Sequence, residues 1–239
     1  MLNVFKESNE AIEALGALFV KDAKLAIATN NRFIVALSGG SSPKKLYELL
    51  SAKYNNDLDW KKVYFFFGDE RYVAHHHPDS NYLMAKNAML DSLQIADDQV
   101  FKVDTGLDPA SAAVEYQRII CDFFNGKPVF DLVLLGLGDD AHTASIFPGT
   151  DLVWIDEEQV KEVYLKDKEV YRISFTAPLI NDAKQVAFLT FGANKADAIK
   201  AVLEGEKFVS KYPAQLINPV NGKLDWFVDE AAVSKLASK

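Results

Sequence analysis

Asp139, Asp140 and His142 follow directly on an apolar run at 130–135 and the glycines Gly136 and Gly138. Histidine is the side chain whose ordinary pKa, about 6.5, lets it take and return protons near neutrality. A carboxylate such as Asp140 or Asp69 can orient the imidazole and stabilise its cation. No Gly-x-Ser-x-Gly elbow occurs, and Cys121 is badly placed for a nucleophile. A histidine without a covalent partner points to activation of water, or to proton transfer on a sugar. The competing reading is a histidine that caps a helix and binds backbone; its setting, after a buried run and two aspartates, favours chemistry.

A second chemical group precedes it. Ser38, Gly39, Gly40, Ser41 and Ser42 lie between the apolar run at 33–37 and a stripe of Leu46, Leu49 and Leu50. The order is strand, glycine loop, helix, with Ser42 as the expected N-cap and Pro43 as the first helical residue. Glycines allow close backbone approach, and a helix N-terminus offers unpaired N–H groups, so the stretch reads as a phosphate cradle. The plainer alternative is a tight turn. It is not a P-loop, because Gly-x4-Gly-Lys-Ser/Thr is absent. Gly136-x-Gly138 lacks the third glycine of a dinucleotide loop, and two aspartates there would repel a pyrophosphate, so NAD binding is rejected.

The run at 63–67 ends in Gly68, Asp69, Glu70 and Arg71, charged residues at another strand end, or else a solvated turn with a local ion pair. His75, His76 and His77 read as a polar loop; consecutive histidines cannot easily share one metal, and no cysteine or acidic cluster completes a ligand set.

The positioning elements alternate along the chain. A helix is expected at 8–28, a helix from Asp79 or Ser80 to Leu93, a strand at 100–103 and a helix opened by Asp108 and Pro109. Beyond the run at 130–135 come a strand or hairpin at 163–175, a helical turn at 178–183 and a strand at 185–191. A helix at 194–203 and a tail with a short strand and a closing helix complete the order. The fold class is α/β: a Rossmann-like, doubly wound, mostly parallel sheet with helices on both faces, in a single domain over 1–239. Parallel strands place the loops after 33–37, 63–67, 130–135 and 185–191 at one sheet edge.

Composition narrows the partners. The 239 residues carry a net charge of −8, with 49% hydrophobic and 25% charged residues. The net charge disfavours bulk binding to nucleic acid or an anionic membrane, and an anionic ligand would need local Arg, Lys and N–H groups. Cys121 is the single cysteine and is expected to be a reduced structural thiol. The start MLNVFKESNE lacks a signal-peptide pattern, and no apolar run approaches the roughly 20 residues of a membrane span. A cytoplasmic protein is expected.

Several blocks occur in order: LSGGSSP at 37–43, GDERYV at 68–73 with Ser80 and Asn81, LGLGDDAHTASIFPG at 135–149, RISF at 172–175, FGANKADAI at 191–199, and Tyr212, Pro213 and Ala214. Together they resemble the 6-phosphogluconolactonase family, within the glucosamine-6-phosphate isomerase/deaminase-like superfamily. The resemblance implies hydrolysis of 6-phospho-D-glucono-1,5-lactone to 6-phosphogluconate in the oxidative pentose phosphate pathway, with no metal and no cofactor. It implies that His142 activates water, and that Asp140 and the Asp69–Arg71 pair orient the histidine and the lactone ring. The phosphate would be held by Ser38, Gly39, Gly40, Ser41, Ser42, Arg172 and Lys195. The expected partner is a small-molecule sugar-phosphate lactone, with the chain a monomer or weak homo-oligomer.

One departure stands out. The family pattern reads Asp-Gly-His-Thr where this chain has Asp140, Ala141, His142 and Thr143. If that position has positive φ, alanine strains the backbone by about 1 kcal/mol or more. The related deaminases carry an acid after the histidine; the matching stretch here, TASIFP at 143–148, has none. A catalytically silent sugar-phosphate-binding module would keep Arg172, Lys195 and the glycine loop but lose the base.

Overall fold

Strands covered on both faces need unbroken apolar runs, and surface helices need one apolar stripe. The chain runs β1 (Leu2–Phe5), α1 (Ser8–Asn30), β2 (Phe33–Leu37), α2 (Ser41–Lys53), β3 (Val63–Phe67), β4 (Asp69–Arg71), α3 (Asn81–Ala85) and α4 (Pro109–Phe124). Then follow β5 (Leu132–Leu135), β6 (Val160–Leu165), β7 (Val170–Phe175), α5 (Ala177–Asn181), β8 (Gln185–Thr190), α6 (Ala196–Leu203) and β9 (Lys223–Asp229). The structure is a computed structural model and describes residues 1–157 and 159–237.

Six strands form a parallel sheet in the order β1-β9-β8-β5-β2-β3. Side chains alternate between two cores along β2. Phe33, Val35 and Leu37 share a core with Phe19 of α1 and with Leu46 and Leu50 of α2. Ile34 and Ala36 share the other with Ile120 of α4, Ile180 of α5 and Ile199 of α6. Helices therefore cover both faces, the doubly wound arrangement expected from the alternation of runs and stripes.

A second, three-stranded sheet has the order β4-β7-β6 and is antiparallel. Gly68 is where the chain passes from one sheet to the other: its N–H donates to Leu37 O at 2.9 Å, and its carbonyl accepts from Phe175 N at 2.8 Å. The charged stretch at 69–71 is thus neither a loop nor a solvated turn but a strand. Its ladder partner, β7, lies far along the chain.

Other differences have local causes. Helix α2 begins at Ser41, so Gly40 and not Ser42 occupies the N-cap position. With φ at 105°, Gly40 lets the chain turn into the helix early, and Pro43 still falls in the first turn, where its missing N–H costs nothing. The expected strand at 100–103 is reduced to one bridge, Phe65 to Val100. After β9 the chain makes turns rather than the expected closing helix, with i→i+3 bonds from Ala232 N to Asp229 O, Ser234 N to Ala231 O and Leu236 N to Val233 O; the last residues of the tail lie outside the described ones. The helix expected from Asp79 or Ser80 starts under a Ser80 side chain that accepts from Leu83 N, then runs into a π-helical segment at Lys86–Leu90. Cys121, expected as a structural thiol, is exposed on α4, where Tyr116 and Ile120 supply the buried stripe. No helix among the described residues is long and apolar enough to cross a membrane.

Candidate active site

The carboxyl ends of β2, β5 and β8 and the start of the small sheet surround one cleft of ≈ 290 Å³. Its walls include Ser38, Gly39 and Gly40 after β2, Asp69 and Arg71 on β4, Gly136, Gly138 and His142 after β5, Arg172 on β7 and Lys195 after β8. Ser41 and Ser42 do not reach the wall; they begin α2. Asp140 stands behind His142 rather than in the cleft.

His142 is held on three sides. Its Nδ1 lies 2.5 Å from Asp140 Oδ1; an ionised carboxylate only accepts, so this nitrogen carries the proton. Its backbone N–H donates to the same oxygen at 3.2 Å. The imidazole stacks on Phe147, with ring centroids 3.9 Å apart and planes 23° off parallel. No hydrogen bond engages Nε2 among the described residues. Partial burial alone would raise the Asp140 carboxyl, but the hydrogen bond and charge of His142 hold it below the ordinary carboxylate range.

The loop between Asp140 and His142 turns through Ala141, whose φ of 60° is left-handed. Its N–H donates to Gly138 O at 3.0 Å and its carbonyl accepts from Ala214 N at 2.9 Å. Those bonds impose a conformation that costs a non-glycine residue about 1–2 kcal/mol. Ala141→Gly removes that strain but also loses a buried methyl and loosens the unfolded chain. Urea unfolding should therefore place it within about 1 kcal/mol of the parent, with kcat within about twofold. Ala141→Val, β-branched at positive φ, should lose about 2 kcal/mol or more. Equal stability of the glycine and valine variants would contradict the strained backbone.

Asp69 does not touch His142. Ser145 Oγ donates to its Oδ2 at 2.7 Å, and Asn81 Nδ2 donates to its carbonyl at 2.8 Å. Of the two candidate carboxylates, Asp140 is the one hydrogen-bonded to the imidazole. Glu70, buried beside it, accepts from Asn81 N at 2.7 Å, Tyr82 N at 2.9 Å, Arg71 N at 2.7 Å and Ser80 Oγ at 3.2 Å. Burial pushes its carboxyl up while the backbone N–H groups pull it down. Its work is structural: it ties β4 to the start of α3.

The cleft lining also carries cations. Arg71 and Arg172 stand directly across from each other in the β4–β7 register, a like-charge pairing that is unfavourable by itself. Burial first, and then Arg71, lower the pKa of the Arg172 guanidinium. Arg71 Nη1 donates to Asp79 O at 2.8 Å. Lys195 Nζ lies 2.6 Å from Asp139 Oδ1, which also accepts from Asn194 Nδ2 at 3.0 Å; the Lys195 hydrogen bond holds the Asp139 carboxyl low. Two guanidiniums side by side at a cleft wall form a receptor for a multiply charged anion.

The glycine loop fits this use. Ser38 N–H donates to Tyr47 Oη at 2.9 Å, and that hydroxyl donates to Ser38 O at 2.8 Å, so the buried tyrosine pins the loop. A Cβ on Gly39 would lie 1.9 Å from Asn81 Oδ1, so only glycine permits this approach. The histidine loop serves backbone instead: a His75 ring nitrogen lies 2.7 Å from Val103 O, and His77 Nδ1 accepts from Asp79 N at 3.1 Å.

Residues to which sequence reasoning gave no role are Asn81, Ser145, Phe147 and Lys168. Asn81 was named beside the 68–73 block, and Ser145 and Phe147 lie inside the 135–149 block, so a signal was present. Lys168, in the charged turn KDKE at 166–169, carried none.

A parallel α/β sheet whose carboxyl-edge cleft is lined by a carboxylate-bound histidine and by paired arginines defines a class that handles small anionic ligands. The family described as glucosamine-6-phosphate isomerases/6-phosphogluconolactonase matches residues 6–226, and the chain belongs to it. A 6-phosphogluconolactonase from Nostoc sp. is 44% identical over 218 residues, covering 89% of this chain and 88% of that protein. One from Synechocystis sp. is 42% identical over 216 residues, with 88% of each covered. The structure of 6-phosphogluconolactonase from Trypanosoma cruzi superposes with a TM-score of 0.89 at 29% identity, covering 99% of this chain and 96% of that one.

Proposed function

We propose that the chain hydrolyses 6-phospho-D-glucono-1,5-lactone to 6-phosphogluconate, with His142 as general base. The observation that carries this reading is the Asp140–His142 pair, whose imidazole shares one cleft with Arg71 and Arg172. The phosphate sits on those guanidiniums, near Lys195 and the Gly39–Gly40 backbone. That places the lactone carbonyl toward His142. Nε2 takes a proton from water as its oxygen bonds to the carbonyl carbon, and the imidazolium is stabilised by Asp140. Collapse of the tetrahedral anion breaks the bond to the ring oxygen. That oxygen receives the proton from Nε2, leaving a hydroxyl and a carboxylic acid, and His142 returns neutral. A cytoplasmic site of action accords with the exposed, unpaired Cys121.

The test is steady-state hydrolysis of freshly generated lactone by the parent and by Arg172→Ala. A charged, forked donor removed from a phosphate costs about 1.5–3 kcal/mol, so KM should rise by roughly 10- to 100-fold, with a smaller change in kcat. An unchanged KM would remove Arg172 from the phosphate site. Ammonia release from glucosamine 6-phosphate in place of lactone hydrolysis would overturn the reading.

A further inference from the structure

We propose that Lys168, on the turn between β6 and β7, contacts the phosphate of the bound lactone and sets the preference for phosphorylated over neutral lactones. The inference rests on the reading of the cleft as a sugar-phosphate site and adds to it a residue from a separate element.

The turn places this side chain at the cleft. Glu169 adopts a left-handed φ of 51° and closes the turn, and Lys168 lines the same cleft as Arg71, Arg172 and His142. The hairpin thus delivers two cations to one site, Arg172 from its strand and Lys168 from its tip. The ammonium lies 5.3 Å from the centroid of the Phe147 ring, and that ring stacks on the imidazole of His142. Lys168 is therefore parked one aromatic ring away from the base.

Its partners distinguish it from the other cleft lysine. Lys195 is bound to Asp139. Lys168 has no carboxylate within ion-pair distance among the described residues, although Asp167 and Glu169 flank it in sequence; its ammonium lies over the Phe147 ring instead. A ring face holds an ammonium weakly compared with a phosphate dianion. A further cation beside Arg71 and Arg172 is unfavourable until an anion enters, and then becomes favourable. A flexible lysine supplies a point charge that can leave the ring and reach the anion, with no demand on forked geometry. A neutral lactone gives it nothing to bind, so its contribution is a difference between substrates, which is specificity.

The experiment uses the full chain carrying Lys168→Ala or Lys168→Arg, assayed on 6-phospho-D-glucono-1,5-lactone and on unphosphorylated glucono-1,5-lactone, with inorganic phosphate as inhibitor. Lys168→Ala should raise KM for the phosphorylated substrate about three- to tenfold with kcat within about twofold, weaken phosphate inhibition by the same factor, and leave kcat/KM for the neutral lactone unchanged. Lys168→Arg should restore KM to within about twofold of the parent, since charge rather than fork geometry is required. An unchanged KM and unchanged phosphate inhibition would refute the role, as would an equal loss on both lactones, which would mark a packing effect through Phe147. Failure of the parent to hydrolyse the phosphorylated lactone removes the proposed function itself. Normal turnover by the parent with no effect of Lys168→Ala removes only this inference.

Discussion

His142→Ala should lower kcat for lactone hydrolysis by roughly 10²–10⁴-fold, the range for loss of a positioned general base, while KM changes little. The split follows from the division of the cleft. The proposed base stands on the loop after β5, whereas the groups proposed to bind the anion stand on β4, on β7 and after β2 and β8. On the proposed mechanism, the variant keeps the groups that hold the phosphate and loses only the atom that takes the proton from water. Its fold should persist, because the side chain is anchored by Asp140 and Phe147 and belongs to neither core. Thermal unfolding of the variant checks that the loss is chemical. The variant leaves the Asp140 carboxylate without its imidazole partner and no proton acceptor at the position of Nε2. Turnover within tenfold of the parent would show that another group activates the water.

How much of this arrangement could be read from residues alone depended on how local its cause was. The apolar runs of β2, β3, β5 and β8 announce themselves, because each strand must satisfy two cores. The glycines and the His142 loop at their carboxyl ends were legible for the same reason. What could not be read was set by distant partners. Asp69, Glu70 and Arg71 have neither alternation nor apolar character, yet they form β4 because β7 offers a ladder. That pairing, and not the Asp69–Arg71 spacing, brings Arg71 against Arg172. It also separates the roles of two neighbouring carboxylates: Asp69 is turned to Ser145 and Asn81, and Glu70 to backbone N–H groups. Strand β1 was hidden likewise, since four residues with a half-buried pattern are a strand only because β9 lies beside them. Lys168 had no local signal because a charged turn looks the same whether it faces solvent or a cleft.

Gly138→Ala should be almost as damaging as loss of the histidine, although it removes no functional group. A Cβ at this position would lie 2.0 Å from His142 Nδ1, 2.3 Å from its Cε1 and 2.6 Å from Asp140 Oδ1. No atom pair tolerates such distances, so either the backbone or the imidazole must move. The ring is not the free end of a flexible chain: Asp140 holds one edge and Phe147 one face. The backbone is closed as well, with Gly138 N donating to His142 O at 2.8 Å and Ala141 N donating to Gly138 O at 3.0 Å. The new methyl therefore wedges between the two members of the pair. Displacement of a catalytic group by about 1 Å costs on the order of 10²-fold in rate, and kcat should fall by at least that much. Because Arg71, Arg172 and Lys195 are untouched, inhibition by inorganic phosphate should stay within about twofold of the parent, which separates a displaced dyad from a collapsed cleft. Near-normal kcat in Gly138→Ala would mean that the Asp140–His142 bond is not what holds the base in place, and the orienting role of Asp140 would have to be given up.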